Sequence, residues 1–215
     1  MADQILQAYY RARASEYDCL YEVLEYQQEL EQLRSWLVKH VYARRILEIA
    51  AGSGYWTVAA ASVAQTIVAT DINSGMLANA ARRYLGSNVT LIRADAYALP
   101  KFAYSFDVGM AHLWWSHVKK QKRQEFLAHL SSRLEPAARL LMIDQTYVHG
   151  INISASRRDA RGNRYELRFL KNRAVHEIIK NYPNAQQLKD SVSEFCDDVE
   201  VIRLRYFWTL SARFR

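Results

Sequence analysis

The chain has 215 residues, a formal net charge of +7 at pH 7 and 50% hydrophobic residues. A chain of this size and composition builds one domain with a sizeable core, so a second independent domain is not expected. Cys19 and Cys196 stand far apart and lack the C-x-x-C spacing of a zinc or redox centre, so no metal site is predicted. The N-terminus has no apolar leader, and no stretch stays apolar for about 20 residues. We therefore expect no signal peptide, no membrane span and a reducing, cytoplasmic setting.

The positive charge raises nucleic acid as a partner, and it is concentrated in two segments. One segment is residues 119–123, at the start of a predicted helix, and the other is residues 157–173. Exposed helices and hairpins commonly carry Lys and Arg, so a solvated face is the favoured interpretation of both. For the second segment, a site for an anionic substrate or for RNA phosphate stays open.

The N-terminal segment has a helical pattern, because apolar and aromatic residues recur at helical spacing from Asp3 to Lys39. Ser15 and Asp18 form a capping-box pattern. This pattern predicts a short helix followed by a longer one that begins near Ser15.

The stretch RILEIAAGSGYWTVAAAS, at residues 45–62, predicts a buried strand, a glycine turn and a helix. Glu48 lies near the end of the strand, and Gly52 and Gly54 form the turn. A strand end, a glycine turn and a helix N-terminus together make a ligand cradle. A dinucleotide site would require a third glycine three residues after Gly54, but Thr57 stands there.

Two later predicted strands also lead into an acid. Residues 65–71 end at Asp71, and residues 89–94 lead into Asp95. Asp71 follows the glycine turn at the spacing of ribose-binding acids, whose carboxylate accepts hydrogen bonds from both hydroxyls. A single Asp after a strand is more often a turn former. Three acids after three successive strands favour one shared ligand.

The segment HLWWSHV follows a fourth predicted strand at residues 106–111. His112 and His117 are groups that ordinarily titrate near neutral pH. We take His117 as the candidate general base and His112 as the second candidate. The alternative is that a histidine at a helix start caps or packs.

The remaining elements follow from periodicity and turn residues. They are a helix at 74–84, a helix at 119–134 stopped by Pro136, a fifth strand at 138–144, a hairpin of 165–169 with 175–179, a helix at 184–196 and two closing strands. The hairpin is basic, so it either covers a substrate or forms a dimer contact.

Three patterns resemble the class I S-adenosylmethionine-dependent methyltransferases. E-x-A-x-G-S-G at 48–54 resembles motif I, D-A-x-x-L-P at 95–100 resembles motif II, and LEPAARLLMID at 134–144 resembles the segment that forms strand five. YYRARASEYD and WWSHV resemble a group of small bacterial members. Alanines replace the family's glycines at Ala50 and in the turn before strand five, and we expect both turns to keep φ negative.

The resemblance implies an α/β fold: a Rossmann-like three-layer α/β/α sandwich with a seven-stranded, mostly parallel sheet and an antiparallel closing strand. Residues 1–215 then form a single domain. It comprises an N-terminal helical lid at 1–40, a cofactor-binding core at 45–147 and a β-hairpin insertion after strand five at 151–180.

The resemblance also implies S-adenosylmethionine as cofactor and a small-molecule acceptor, with nitrogen or oxygen as the expected methylated atom. The cofactor-binding candidates are Tyr9, Arg13, Tyr17, Glu48, Ala50, Gly52, Gly54, Trp56, Asp71, Ile72, Met76, Asp95, Ala96 and Tyr97. The substrate candidates are Trp114, Trp115, Tyr147 and Arg158. RNA methylation through the basic surface and a non-catalytic binding or regulatory role are the alternatives. We expect no membrane partner, and a homodimer is left open.

Overall fold

The computed structural model describes residues 4–83 and 85–215. The helices are α1 Gln4–Arg13, α2 Gln27–Val41, α3 Tyr55–Ala61, α4 Ser74–Ala81, α5 Arg123–Ser131 and α6 Ala185–Val192. The strands are β1 Arg45–Ile49, β2 Thr66–Asp71, β3 Val89–Arg93, β4 Phe106–His112, β5 Leu134–Gln145, β6 Arg157–Arg158, β7 Arg164–Phe169, β8 Val175–Ile179, β9 Cys196–Arg203 and β10 Phe207–Phe214. The predicted helix boundaries at Asp3 and Tyr84 fall on residues outside the described part of the chain.

Seven strands form the main sheet, in the order β3-β2-β1-β4-β5-β10-β9. The first five run parallel to one another. Strand β10 runs antiparallel to both of its neighbours. The predicted mostly parallel sheet with an antiparallel closing strand is therefore confirmed. Because β1 and β4 are central, their carboxyl ends meet near the middle of one sheet edge, where open α/β sheets bind ligands.

Helices cover both faces of the sheet because side chains of each buried strand alternate between two apolar layers. In β1, Ile46 packs with α2 and α3, whereas Leu47 packs with α5 and α6. Helix α2 contributes to its layer through Leu30, Leu33 and Leu37, which recur at helical spacing and are all buried.

The N-terminal segment departs from the predicted pattern. It continues from α1 as 3-10 helix over Ala14–Glu22 and Leu24–Tyr26, and the long helix begins at Gln27 rather than near Ser15. Asp18 makes no local cap, because its carboxylate accepts a hydrogen bond from Ser53 and pairs with Arg83. The predicted capping box therefore does not form, and Asp18 makes long-range contacts instead.

The second sheet has the order β6-β7-β8, and its β7–β8 hairpin is where the alternating pattern predicted it. Helix α1 packs against β8, with the rings of Tyr9 and His176 5.7 Å apart.

The helix predicted at 119–134 is shorter and ends at Ser131. Pro136 does not stop it, because Pro136 lies within β5.

Both substituted glycine positions have positive φ, contrary to expectation. The φ angle is 53° at Ala50 and 60° at Ala137. The turn after Ala50 is tied to the sheet, because the amide of Ala51 donates to the carbonyl of Thr70 at 2.9 Å. Ala137 lies where the pairing of β4 with β5 shifts register. The surrounding structure therefore imposes a left-handed conformation that costs an L-residue about 1–2 kcal/mol.

Within the described residues, no helix combines the length and apolar composition needed to cross a bilayer.

Candidate functional site

The Asp71 carboxylate sits at the end of β2, against the glycine turn. Its Oδ2 accepts from the amide of Gly52 at 3.0 Å, and its Oδ1 accepts from the amide of Asn73 at 2.8 Å. Burial raises the pKa of Asp71, while these amide hydrogen bonds oppose the shift. Each carboxylate oxygen keeps acceptor capacity beyond its one amide bond, so the group is oriented and able to accept from a ligand.

The Glu48 carboxyl lies beneath the same turn and is only 1% exposed. Its Oε2 accepts from Oγ1 of Thr57 at 2.6 Å, which ties β1 to α3. Burial raises the pKa of Glu48 to about 8, so the group is mostly protonated at neutral pH. Its predicted contact with a cofactor stays a prediction.

A first cavity, of about 60 Å³, opens between the glycine turn and the N-terminal lid. Its lining includes nine of the predicted site residues: Tyr17, Ala50, Gly52, Asp71, Ile72, Met76, Ala96, Trp114 and His117. Lid residues Leu6, Gln7 and Tyr10 complete one wall. The other predicted cofactor residues, Gly54, Trp56, Asp95 and Tyr97 among them, lie outside this lining.

A second cavity, of about 150 Å³, adjoins the first. Four residues line both cavities: Tyr10, Tyr17, Leu113 and His117. Leu113 follows β4 with a φ of 53°, which is uncommon for a branched side chain. Tyr9 and Arg13, predicted as cofactor residues, line this second cavity instead of the first.

His117 is held in one tautomer at the boundary of the two cavities. Its Nδ1 lies 2.7 Å from the carbonyl of Ile179, which only accepts, so Nδ1 carries the proton. Its Nε2 then accepts from the hydroxyl of Tyr10 at 2.7 Å. Burial lowers the pKa of His117 to about 3, and the nearby Lys180 charge adds to the shift. The expectation that this histidine titrates near neutral pH is therefore wrong.

His112 is buried in the sheet layer. Its Nδ1 accepts from the amide of Ile143 at 3.0 Å, and its ring lies 5.5 Å from that of Trp56. Burial lowers the pKa of His112 to about 3 as well, so the neutral-pH expectation is also wrong here. His112 is absent from the lining of both cavities.

Lys180 reaches the second cavity from the end of the hairpin and is 3% exposed. Its ammonium donates to Oγ of Ser116 at 2.8 Å and to Oδ1 of Asp144 at 3.2 Å. Although burial opposes ionisation, the Lys180 charge holds the pKa of Asp144 below its usual range. The two residues form a buried ion pair that the sequence analysis missed.

Arg168 is a second cation in the lining of this cavity. Its guanidinium pairs with Glu166, while its buried Nε has no hydrogen-bond partner among the described residues. A buried donor of this kind is costly unless something binds it. With Lys180, it gives the second cavity a positive wall.

The predicted substrate residues are dispersed. Trp114 lines the first cavity, but Trp115 is fully buried against Phe126. Tyr147 and Arg158 line a third, larger cavity described below. The residues that sequence reasoning missed are Tyr10, Leu113 and Lys180. Arg168 lies in the basic segment at 157–173, for which a site for an anionic substrate had stayed open.

Comparisons with known proteins indicate which enzymes have a similar structure. Residues 46–137 match the family model described as a methyltransferase domain. DhpI in a complex with SAH aligns at 24% identity and a TM-score of 0.76, over 98% of this chain and 96% of that one. A complex of DhpI with SAM and HEP aligns at 25% identity and a TM-score of 0.75, with the same coverage. The chain is an S-adenosylmethionine-dependent methyltransferase.

More distant methyltransferases share the fold. Magnesium protoporphyrin IX methyltransferase (ChlM) from Synechocystis PCC 6803, with bound SAH, aligns at 14% identity and a TM-score of 0.60, over 88% of this chain and 84% of that one. A comparison with curated proteins gave no match.

The residues of the first cavity suit the cofactor of this methyltransferase. In this cavity Asp71 would offer a fixed carboxylate to the ribose hydroxyls, and Ile72, Met76 and Ala96 would offer apolar surface to the adenine. When bound, S-adenosylmethionine supplies a methyl group on a positively charged sulfur. Ligand cavities typically measure about 300–1,000 Å³, so the lid side chains must move to admit this cofactor.

Proposed function

We propose that this methyltransferase transfers the methyl group of S-adenosylmethionine to an oxygen or nitrogen of a small anionic molecule, with S-adenosylhomocysteine as the second product. The observation that carries this proposal is the pair of cations, Arg168 and Lys180, in the cavity that shares a boundary with the cofactor cavity. The acceptor would occupy this second cavity.

The size of the second cavity supports a compact acceptor. Its volume is about 150 Å³. Cavities for drug-sized ligands measure about 300–1,000 Å³. With the lid in this closed arrangement, a metabolite of few heavy atoms matches the smaller volume better than a large planar or polymeric substrate does.

Hydrogen-bond capacity supports a negative charge on the acceptor. The Lys180 ammonium has three N–H donors, and its two partners, Ser116 and Asp144, leave one donor over. The Nε of Arg168 is a further buried donor. Charge-assisted bonds from both groups would hold a carboxylate-like or phosphate-like anion, each contributing about 1.5–3 kcal/mol.

The chemistry needs little more than alignment. A lone pair of the acceptor atom attacks the methyl carbon while the carbon–sulfur bond breaks and its electron pair stays on sulfur. Holding the two partners in line can supply about 7–11 kcal/mol of the barrier. An acceptor oxygen that is already anionic has no proton to lose. This favours a positioning role for neutral His117, whose pKa of about 3 makes it a weak base.

RNA is the second candidate acceptor, suggested by the basic segment at 157–173. Two of its arginines are paired with glutamates of the same sheet, Arg157 with Glu177 and Arg164 with Glu166, and Arg168 lines the second cavity. These pairs leave fewer cations for phosphate contacts, which supply most of non-specific RNA affinity. A small molecule is therefore the acceptor that we propose.

We propose that the protein works in a reducing compartment such as the cytoplasm, where its two cysteines stay unpaired; both are free in the structure. Whether the protein forms a homodimer stays a prediction.

The proposed function can be tested with methyl-labelled S-adenosylmethionine and a cell metabolite extract divided by ion exchange into anionic, neutral and cationic fractions. We expect labelled product from the anionic fraction and none from bulk RNA supplied in parallel. Mass analysis of the product identifies the methylated atom. Label in the cationic fraction or in RNA would contradict the proposal. No label in any fraction, with S-adenosylmethionine still bound, would favour the non-catalytic alternative.

A further inference from the structure

A third cavity, of about 710 Å³, lies between the start of α5, one face of α6 and the second sheet. It shares no lining residue with the first two cavities. Its volume falls within the range typical of ligand sites, about 300–1,000 Å³. Methyl transfer as proposed above makes no use of it.

Arg123 is the unusual residue of this cavity. It is 7% exposed, and its Nε and Nη2 are buried without a hydrogen-bond partner. Its guanidinium lies 4.8 Å from the ring centroid of Trp115, a cation–π contact that satisfies none of its five N–H donors. Burial lowers the pKa of Arg123 to about 10, so it is still charged at neutral pH. A buried cation without an acceptor is costly to maintain.

Two more cations line the same cavity. Neither the ammonium of Lys120 nor the guanidinium of Arg158 has an ion-pair partner among the described residues, and the Lys120 ammonium lies close to Gly162. Arg164 is different, because it pairs with the buried Glu166. The one acid in the lining, Asp190, accepts from Gln186 at 2.8 Å. Three cations therefore face one carboxylate.

We propose that this cavity is a second ligand site, which binds a small, multiply charged anion bearing phosphate or carboxylate groups. Arg123 donates to the anion from the floor of the cavity, and Lys120 and Arg158 donate from its sides. Several charged groups on one small ligand are needed to satisfy cations that come from separate elements. The site is distinct from the acceptor cavity and stands whether or not the proposed methyl acceptor is correct.

A purely structural role for Arg123 makes a different prediction. If Arg123 were kept for its contact with Trp115, replacing it with methionine would destabilise the protein. If it is kept for a ligand, methionine would fill the same space without a buried charge, and the ligand-free protein would be as stable or more stable. Stability and ligand binding then respond in opposite directions, as is common for residues of binding sites.

The test is calorimetric titration of the full chain with pyrophosphate and, separately, with citrate at low salt. We compare the unsubstituted protein with three variants: Arg123→Met, Lys39→Met as a matched loss of one exposed charge, and Arg168→Met in the second cavity. We expect at least one binding site per chain, and the variant that weakens it identifies the cavity. Affinity should fall at least about tenfold in Arg123→Met and stay within about twofold in the other two variants.

The two probes distinguish phosphate from carboxylate ligands, because the probe that binds with the higher affinity indicates the chemical class of the ligand. Thermal unfolding without ligand is recorded for each variant, and we expect Arg123→Met to melt no lower than the unsubstituted protein. The proposal is overturned if both probes bind Arg123→Met as tightly as the unsubstituted protein, or if neither binds the unsubstituted protein. It is also overturned if only Arg168→Met weakens binding, since the anions would then occupy the second cavity.

Discussion

The hydroxyl of Tyr10 donates a 2.7 Å hydrogen bond to Nε2 of His117, so the N-terminal lid is bonded to the loop that follows β4. The pair is 107 residues apart in sequence and stands where the first two cavities meet. This bond holds the lid over both cavities.

Replacing Tyr10 with phenylalanine keeps the ring and removes the bond. A neutral hydrogen bond contributes about 1 kcal/mol, so the lid should open more readily and S-adenosylmethionine should dissociate about fivefold faster. Stopped-flow displacement measures this rate. Tyr42→Phe, on an exposed ring, is the control. An unchanged rate in Tyr10→Phe would show that the bond does not restrain the lid.

Removing the Asp71 carboxylate should weaken cofactor binding. We expect Asp71→Ala to lower the affinity for S-adenosylmethionine at least about tenfold, because charge-assisted hydrogen bonds to the ribose would be lost. Calorimetric titration measures the affinity, and circular dichroism checks that the variant is folded. Asp198→Ala, which removes an exposed carboxylate, should bind normally. Unchanged affinity in folded Asp71→Ala would remove the ribose assignment.

Neutralising Arg168 should affect the acceptor and spare the cofactor. With the acceptor found in the metabolite screen, Arg168→Met should raise KM at least about tenfold, since one charge-assisted bond to the anion is lost. The Kd of S-adenosylmethionine should stay within about twofold. Arg161→Met removes an exposed charge of the same segment and serves as the control. Equal KM values in both variants would contradict an anionic acceptor in the second cavity.

The pKa of Glu48 predicts a pH dependence of stability. Its folded value of about 8 lies above the unfolded value, so the native state holds the proton more tightly. The resulting stabilisation is fully present below about pH 4.3 and is lost by the time the pH has risen through 8. Between these limits, the free energy of unfolding falls by about 1.4 kcal/mol for each pH unit.

Glu48→Gln keeps the shape and removes the titration. Between pH 5.5 and 7.5, the free energy of unfolding of the unsubstituted protein should fall relative to that of the variant by about 2–3 kcal/mol. Urea denaturation at the two pH values measures both proteins, and the contributions of the buried histidines cancel in the difference. Parallel pH dependence would mean that Glu48 is ionised in the native state.

The left-handed Ala137 should accept glycine with a gain in stability. Glycine has no Cβ penalty at a φ of 60°, and this advantage exceeds its extra unfolded-state entropy, giving about 0.5–1 kcal/mol. Urea unfolding at one pH measures the gain. Ala128→Gly, at an exposed position inside α5, should instead lose about 1 kcal/mol. Equal losses in both variants would show that Ala137 is not strained.

The sheet and the hairpin were predictable because their signals are local. Short apolar runs that end in Asp71 or lead into Asp95 give the strands, and alternation gives β7 and β8. The lid was not predictable in detail, because Asp18 does not cap a local helix. It contacts Ser53 and Arg83 instead, which are distant in sequence. Residue type suggested His117, but its pKa depends on burial under residues far away in the chain.

Other features of the site were hidden for the same reason. The ion pair of Lys180 and Asp144 joins residues 36 positions apart in sequence, so no spacing rule could propose it. At Ala50 and Ala137, residue preference indicated negative φ, but the pairing of neighbouring strands imposes positive φ. Local residue preference therefore did not predict the backbone conformation at positions where contacts between distant parts of the chain determine it.

The shared wall of Tyr10 and Tyr17 gives both reactant cavities a common roof. With the acceptor in the second cavity as proposed, a single opening motion of the N-terminal lid would serve entry and exit for donor and acceptor alike. Neither reactant would exchange freely while the lid is shut. Turnover would then be limited by how often the lid opens.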